Sequence, residues 1–340
     1  MSVAVLAMAY GTPATLADLE PYYTHIRRGH PPPPELLDEL RGRYEAIGGR
    51  SPLLEITRAQ AAGLEAGLRA AGHDGIRVEL GMKHAPPFIE DAARALAASG
   101  VSHVVGLVLA PHYSSMSVGE YAERAARALG ADDGGPSFEI VRSWATAPGY
   151  VAWLAGAVGD ALARLGPGAA DAEVVFTAHS LPERILAAGD RYPRELRATA
   201  EAVAAAAALP RWSIAWQSAG RTRDPWIGPD VLDVLPGIAL AGATGVVVCP
   251  AGFVADHLEV LYDLDIEAAA AARALGLPFT RTAAPNAAPA LAATLASVVE
   301  PLLYPASALT AARPPGTGAA PPPTRASPRG RARRSAPRCA

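Results

Sequence analysis

Eight short apolar runs rich in β-branched residues recur along this chain, near 3–9, 76–82, 104–110, 138–142, 173–178, 212–217, 245–250 and 278–282, with longer stretches of helical pattern between them. Strands that follow one another in parallel need a crossover of a dozen or more residues, usually a helix, so the alternation predicts βαβ units with helices on both faces of a parallel sheet. Val104-Val105-Gly106-Leu107-Val108-Leu109 is apolar at nearly every position, as a strand covered on both faces requires. The helices are punctuated as expected: a proline run opens one over Pro34–Tyr44, and Gly72 closes one over Ala59–Ala71. Four runs fall on each side of the segment around Pro148. That count predicts two similar α/β domains with four-stranded parallel sheets, residues 1–147 and 148–304, with a cleft between them. No sequence repeat relates the halves, so the symmetry rests on element order alone.

Charge narrows the function classes. The 340 residues carry a net charge of −3, yet positions 301–340 hold seven arginines and no acid, which leaves the body near −10. A nucleic-acid-binding body would be basic, so nucleic acid is not an expected partner. The stretch 305–340, rich in Pro, Arg and Ala, cannot bury enough apolar surface to offset ordering and is expected to be disordered. Its arginines allow at most peripheral contact with an anionic membrane. No apolar run reaches the roughly 18 residues of a membrane span. The opening Val3–Ala9 lacks a basic flank and runs into Tyr10-Gly11-Thr12-Pro13, which reads as a strand and its turn rather than a leader, so a cytoplasmic location is expected. Two cysteines, Cys249 and Cys339, are too few for a four-cysteine iron–sulfur or zinc site. Neither Gly-x-Gly-x-x-Gly after a strand nor a Walker-type Gly-Lys-Ser/Thr occurs, so no nucleotide cofactor is implied.

In open α/β sheets ligands gather beyond the carboxyl ends of the strands. The polar residues sit there: Tyr10 after the first run, Lys83-His84 after the second, His112-Tyr113 after the third, His179-Ser180 after the fifth and Gln217-Ser218 after the sixth. The seventh is followed by Gly252-Phe253-Val254-Ala255-Asp256-His257-Leu258-Glu259. Glu259, Asp263 and Glu267 then recur every four residues on a segment of helical pattern, which lines three carboxylates along one face, drifting slowly round it. With no Lys or Arg between them such a row repels itself unless a cation or proton compensates; a solvated acidic face is the alternative. His179, emerging from an apolar run, suits a proton acceptor or a metal ligand, or a hydrogen-bonded structural histidine. The absence of His-x-x-x-His and of any compact Cys/His cluster argues against a tightly held metal, so a metal here is held loosely, as a substrate metal must be. Gly48-Gly49 before Ser51-Pro52-Leu53 marks a loop; Arg27 and Arg43 upstream of it suit an anionic group or a plain charged surface.

Several segments resemble the ferrochelatase family in order: Met8-Ala9-Tyr10-Gly11-Thr12-Pro13, Tyr22-Tyr23-Thr24-His25-Ile26-Arg27-Arg28-Gly29, Arg43-Tyr44-Glu45-Ala46-Ile47-Gly48-Gly49, Ala178-His179-Ser180-Leu181-Pro182-Glu183, Trp216-Gln217-Ser218, Asp224-Pro225-Trp226-Ile227-Gly228-Pro229-Asp230 and Phe253 through Asp263. The likeness runs from about residue 3 to 303. It is strongest to the Gram-positive and actinobacterial type, whose substrate is coproporphyrin III. The resemblance implies a pair of Rossmann-like, chelatase-type domains clamping a porphyrin, and insertion of ferrous iron with release of two protons. By the same resemblance His179 and Glu259 are the inner iron-binding and proton-handling pair. Tyr10 faces the other side of the ring. Arg27, Arg43, Tyr44, Ser51 and Tyr121 contact the macrocycle or its propionates, and Asp263 and Glu267 form an outer metal path with Lys83 and His84 nearby. Porphyrin and ferrous iron are then the partners, iron is substrate rather than permanent cofactor, and a monomer is expected. The chain departs from the family in lacking the cluster cysteines of some actinobacterial relatives and in carrying alanines in Pro285-Asn286-Ala287-Ala288-Pro289. A protoporphyrin IX ferrochelatase or cobalt-inserting relative is the alternative within enzymes; a haem or tetrapyrrole carrier is the alternative outside them, though a carrier has no use for the carboxylate row.

Overall fold

The computed structural model describes residues 2–222 and 224–304; the arginine-rich stretch expected to be disordered lies outside the described residues. All eight apolar runs are strands: β1 (Val3–Ala9), β2 (Arg77–Met82), β3 (His103–Val108), β4 (Ser137–Val141), β5 (Glu173–His179), β6 (Trp212–Gln217), β7 (Val246–Cys249) and β8 (Phe279–Arg281). Helices α1 (Leu19–Ile26), α2 (Pro34–Ala46) and α3 (Leu53–Ala70) lie between β1 and β2, α4 (Ile89–Ala98) precedes β3 and α5 (Glu120–Leu129) precedes β4. In the second half α6 (Pro148–Leu165) precedes β5, α7 (Arg184–Ala187) and α8 (Tyr192–Ala206) precede β6, and α9 (Val231–Leu240) precedes β7. Then come α10 (Leu258–Leu261) and α11 (Ala269–Ala274) before β8, and α12 (Pro289–Val299) after it.

The strands form two four-stranded sheets of order β2-β1-β3-β4 and β6-β5-β7-β8, every neighbour parallel. Both sheets thus follow one pattern, with the first and third strands of each half in the middle. Composition follows position. The central strands β1, β3 and β7 are buried at every residue, whereas the edges β2 and β4 open with exposed ones, because an edge strand has a neighbour on one side only. Register is regular: Ala4 pairs with Val104, and Val174 with Trp212 and Val247.

One apolar cluster joins the halves. It contains Val5, Leu64, Leu68 and Leu107 from the first and Phe176, Leu196, Val247 and Leu295 from the second, all fully buried. α12 lies along α3 so closely that a Cβ on Gly67 would stand 3.2 Å from the Ala292 carbonyl oxygen. Small residues at that crossing are what permit the approach. Residues up to Leu303 accordingly form one unit of contact. Two smaller clusters back the outer faces, one around Leu6, Ile89 and Leu96, the other around Val175, Leu235 and Val260.

Candidate active site

The strand order reverses between β1 and β3 in one sheet and between β5 and β7 in the other, and ligands collect at such points because the adjoining loops part there. Along β5, Val174–Ala178 are buried and His179 is the first side chain to emerge, about one-third exposed. Its Nδ1 bonds the Ser180 carbonyl, which accepts only, so Nδ1 carries the hydrogen and Nε2 points outward. Tyr192 donates its hydroxyl to the His179 carbonyl at 2.9 Å. Glu259 reaches this histidine through the loop after β7, which lies against the end of β5: a Cβ on Gly252 would come within 2.5 Å of the Ala178 Cβ. Glu259 Oε1 stands 3.5 Å from His179 Nε2, and Oε2 stands 3.4 Å from Nε2 of His257. Gln217 fixes the backbone there, accepting from the Thr177 hydroxyl at 2.8 Å and donating to the Glu259 carbonyl at 3.1 Å.

The charges of this pair are mutual. Burial works against the His179 imidazolium, but the Glu259 carboxylate beside it outweighs burial and raises its pKa. For Glu259 burial would favour the neutral acid; the two imidazoles overcome that and hold it well below the ordinary carboxylate range.

Downstream, the expected regular helix is interrupted. The segment Asp263–Ala268 is π-helical, and a π turn takes about one residue more than an α turn. Four residues overshoot an α turn of 3.6 and undershoot a π turn, so the drift from Glu259 to Asp263 is reversed from Asp263 to Glu267. The row therefore faces one way. The compensating cation that local sequence lacks comes from α2: Arg43 Nη1 lies 3.4 Å from Asp263, Nη2 3.9 Å from Glu267, and its guanidinium covers the Tyr262 ring at 4.8 Å. Burial and the Glu259 charge push Asp263 up to about 7 despite Arg43 and a hydrogen bond from Ser218. The row lines a cleft of about 520 Å³ with Glu39, Asp230, Asp233 and Arg221 on its other walls. Among the described residues no three His, Cys, Asp or Glu side chains converge into a set able to hold a metal ion by themselves.

The first half presents a second group. Tyr10 follows β1, is 43% exposed and stacks obliquely on His84, ring centroids 4.7 Å apart. The enclosed setting of its hydroxyl and the Glu259 charge raise its phenol pKa. Tyr44 bonds Thr12 at 3.0 Å and is pushed up to about 12 by burial. Lys83 pairs with Glu120 at 2.7 Å over the ring of Tyr121. Burial and the neighbouring cations Lys83 and Arg124 bring His84 down to about 3. Lys83 and His84 thus belong with Tyr10, in a different group from Asp263 and Glu267. Arg27 lies on the surface, donating to the His30 carbonyl at 3.2 Å, and Ser51 is buried, its hydroxyl accepting from the Leu53 amide at 3.3 Å.

Sequence reasoning gave His257, Ser218 and His25 no role in the site. His257 is two positions from Glu259, a spacing that shares a face in extended chain and separates faces in a helix, so the helical pattern read from the sequence hid it, while the extended backbone at His257 (φ −158°) lets both reach one place. Ser218 was visible as a polar residue at a strand end. His25, whose Nδ1 is 3.0 Å from that of His84, gave no signal beyond its motif.

Two parallel sheets of one strand order, with an imidazole–carboxylate pair at the switch point of the second, define an α/β fold of the chelatase type. Its fold is shared with the solved structures of SirB from Bacillus subtilis with Fe3+, at a TM-score of 0.57 and 13% identity over 89% of this chain and 96% of that one. A second is the sirohydrochlorin chelatase SirB of subspecies spizizenii in complex with cobalt, at 0.55 and 11% over the same shares. The family model described as Ferrochelatase matches residues 2–302, and the chain belongs to the ferrochelatase family. It is 45% identical over 301 residues to the coproporphyrin III ferrochelatase of Halalkalibacterium halodurans, covering 88% of this chain and 96% of that protein. To the coproporphyrin III ferrochelatase of Geobacillus kaustophilus it is 44% identical over 298 residues, covering 87% and 94%. No helix among the described residues is long and apolar enough to cross a membrane.

Proposed function

We propose that this protein inserts ferrous iron into coproporphyrin III, giving iron coproporphyrin III and two protons. The observation that carries this reading is the His179–Glu259 pair at a strand's carboxyl end, in a chain more than two-fifths identical to coproporphyrin III ferrochelatases. Iron replaces two pyrrole protons, so the site must bring a cation in and take protons out. Asp263 and Glu267 take the hydrated ion from the cleft and pass it to Glu259. A divalent charge at Glu259 repels the proton on His179 Nε2 into the adjoining solvent and leaves a neutral imidazole, which accepts one pyrrole proton, passes it to solvent and then accepts the second. Tyr10 meets the opposite face of the ring, and Arg27, Tyr44, Ser51 and Tyr121 line its seat. Arg43 contacts the macrocycle edge while holding the carboxylate row. Iron and porphyrin are both substrates in this reading, with no permanent cofactor, and the protein works as a cytoplasmic monomer whose residues 1–147 and 148–304 form the two chelatase-type domains.

The test is anaerobic mixing with ferrous iron and either coproporphyrin III or protoporphyrin IX, followed by absorbance. Turnover with the tetrapropionate ring well above that with the dipropionate one is the expected result; a spectral shift that stops at one equivalent of protein would mark a carrier instead. His179→Ala should bind coproporphyrin and fail to metallate it, because the side chain is about one-third exposed beside Glu259 and is not part of the apolar core.

A further inference from the structure

Arg281, the last residue of β8, reaches two aspartates, one ahead of the carboxylate row and one within it. Its Nε and Nη2 grip Asp265 at 2.6 and 2.9 Å as a two-pronged fork, and Nη2 also lies 3.2 Å from Asp256 Oδ1. Asp256 precedes Glu259, and Asp265 sits inside the π turn between Asp263 and Glu267. The near end is pinned again, since Asn286 donates to Asp256 Oδ2 at 2.7 Å and accepts from the Asp256 amide at 2.8 Å. The far end is ambiguous in its backbone: the Tyr262 carbonyl receives the amide of Ile266 at 3.2 Å, an α-type bond, and that of Glu267 at 3.0 Å, a π-type bond. Two registers therefore compete at one oxygen, and they differ in where Glu267 points relative to Glu259.

We propose that Arg281 is a positioning residue that selects the π register by holding Asp265, and thereby keeps Asp263 and Glu267 in line with Glu259. The inference rests on the reading that this row conducts iron. A bidentate guanidinium–carboxylate pair fixes both distance and plane, which an ammonium cannot do. Without it the Tyr262 carbonyl gives up the Glu267 amide, the turn tightens to α, and the two outer carboxylates rotate off the path. His179 and Glu259, anchored through β5 and Gln217, stay where they are.

Two variants test this. Arg281→Lys keeps every charge and loses the fork; Asp265→Asn, at a side chain 40% exposed, removes the pair from the surface side. Each should raise the KM for ferrous iron roughly five- to tenfold, leave kcat at saturating iron within about twofold, and leave the affinity for coproporphyrin, read by fluorescence quenching, unchanged. A merely structural role would instead lower melting temperature and reduce kcat without that split. An unchanged iron KM in folded Arg281→Lys overturns the proposal. Should that variant not fold, Asp265→Asn decides: a KM rise that disappears at high salt is a through-space charge effect and overturns it, whereas a rise that persists supports it. Calorimetric titration with Zn2+ alone supplies a turnover-free arm, where unaltered affinity in Asp265→Asn likewise overturns the positioning role of Arg281. Wild-type protein that fails to metallate any porphyrin would sink the functional reading, and the Zn2+ titration would still judge Arg281.

Discussion

At Glu259 one carboxylate meets two imidazoles, and each imidazole spends its Nδ1 hydrogen on a backbone carbonyl, Ser180 for His179 and Ala255 for His257. The nitrogens turned toward Glu259 are therefore Nε2, and attraction there requires a proton on it. On the proposed function, two titrations bear on iron capture in the same direction. As pH rises through the raised pKa of His179 its Nε2 is freed, and as pH rises through about 7 Asp263 ionises. The apparent KM for iron should fall from about pH 6 to about pH 8, and Asp263→Asn should make that fall shallower; a KM that climbs across this window would contradict the assignment. For stability the sign is opposite. A carboxyl whose folded pKa is raised favours the fold while protonated and loses that contribution as pH passes upward through about 7, so Asp263 is kept at some cost to the fold. His179 stood out in the sequence because it ends an apolar run directly, and Glu259, ten positions beyond the end of β7, stood out through its four-residue recurrence with Asp263 and Glu267. The partnership of Arg43 with Asp263 was not, since 220 positions separate them and nothing in either neighbourhood points to the other.

The secondary structure was readable strand by strand because burial on both faces leaves an unbroken apolar signature, as in Val104–Val108, and because Gly72 at φ +91° stops α3 where a stop was expected. The π turn was not readable. Its residues Asp-Leu-Asp-Ile-Glu-Ala are compatible with an ordinary helix, and what separates the two registers is a contact made by Arg281 from another strand. The four-residue spacing is also more than a surface pattern here. From spacing alone, Glu267→Gln would relieve repulsion and raise the melting temperature. In the structure Glu267 lies 3.9 Å from Arg43, both side chains partly exposed, so the variant loses a weak attraction along with the repulsion and the melting temperature should move by no more than about 2 °C. The iron KM should rise several-fold with kcat little changed; unchanged iron kinetics would reduce the row to surface charge.

For the whole molecule the decisive arrangement is the apolar cluster common to both sheets. Leu295 on α12 is fully buried in it, beside α3 of the other half, and Leu295→Ala should cost about 2–5 kcal/mol. The loss should appear as a single thermal transition shifted intact, seen alike by near-ultraviolet and far-ultraviolet circular dichroism. A transition split in two would mean that the halves melt separately. Element counting gave the two sheets but not this union, because the packing of α12 on α3 is written in small residues such as Gly63, Gly67 and Ala292, which carry no pattern of their own.

Gln60 of α3 donates to the carbonyls of Val254 and Asn286 at 2.8 and 2.9 Å, and so ties the first half to the loop that leads into Glu259. A hinged jaw would have to break both bonds and part a dry core at every turnover. The gap between the rims is therefore closer to a mould of fixed width than to a clamp. A flat macrocycle that enters it must bend to the shape of the walls, and the work of bending comes from the ring's own adhesion along its edges.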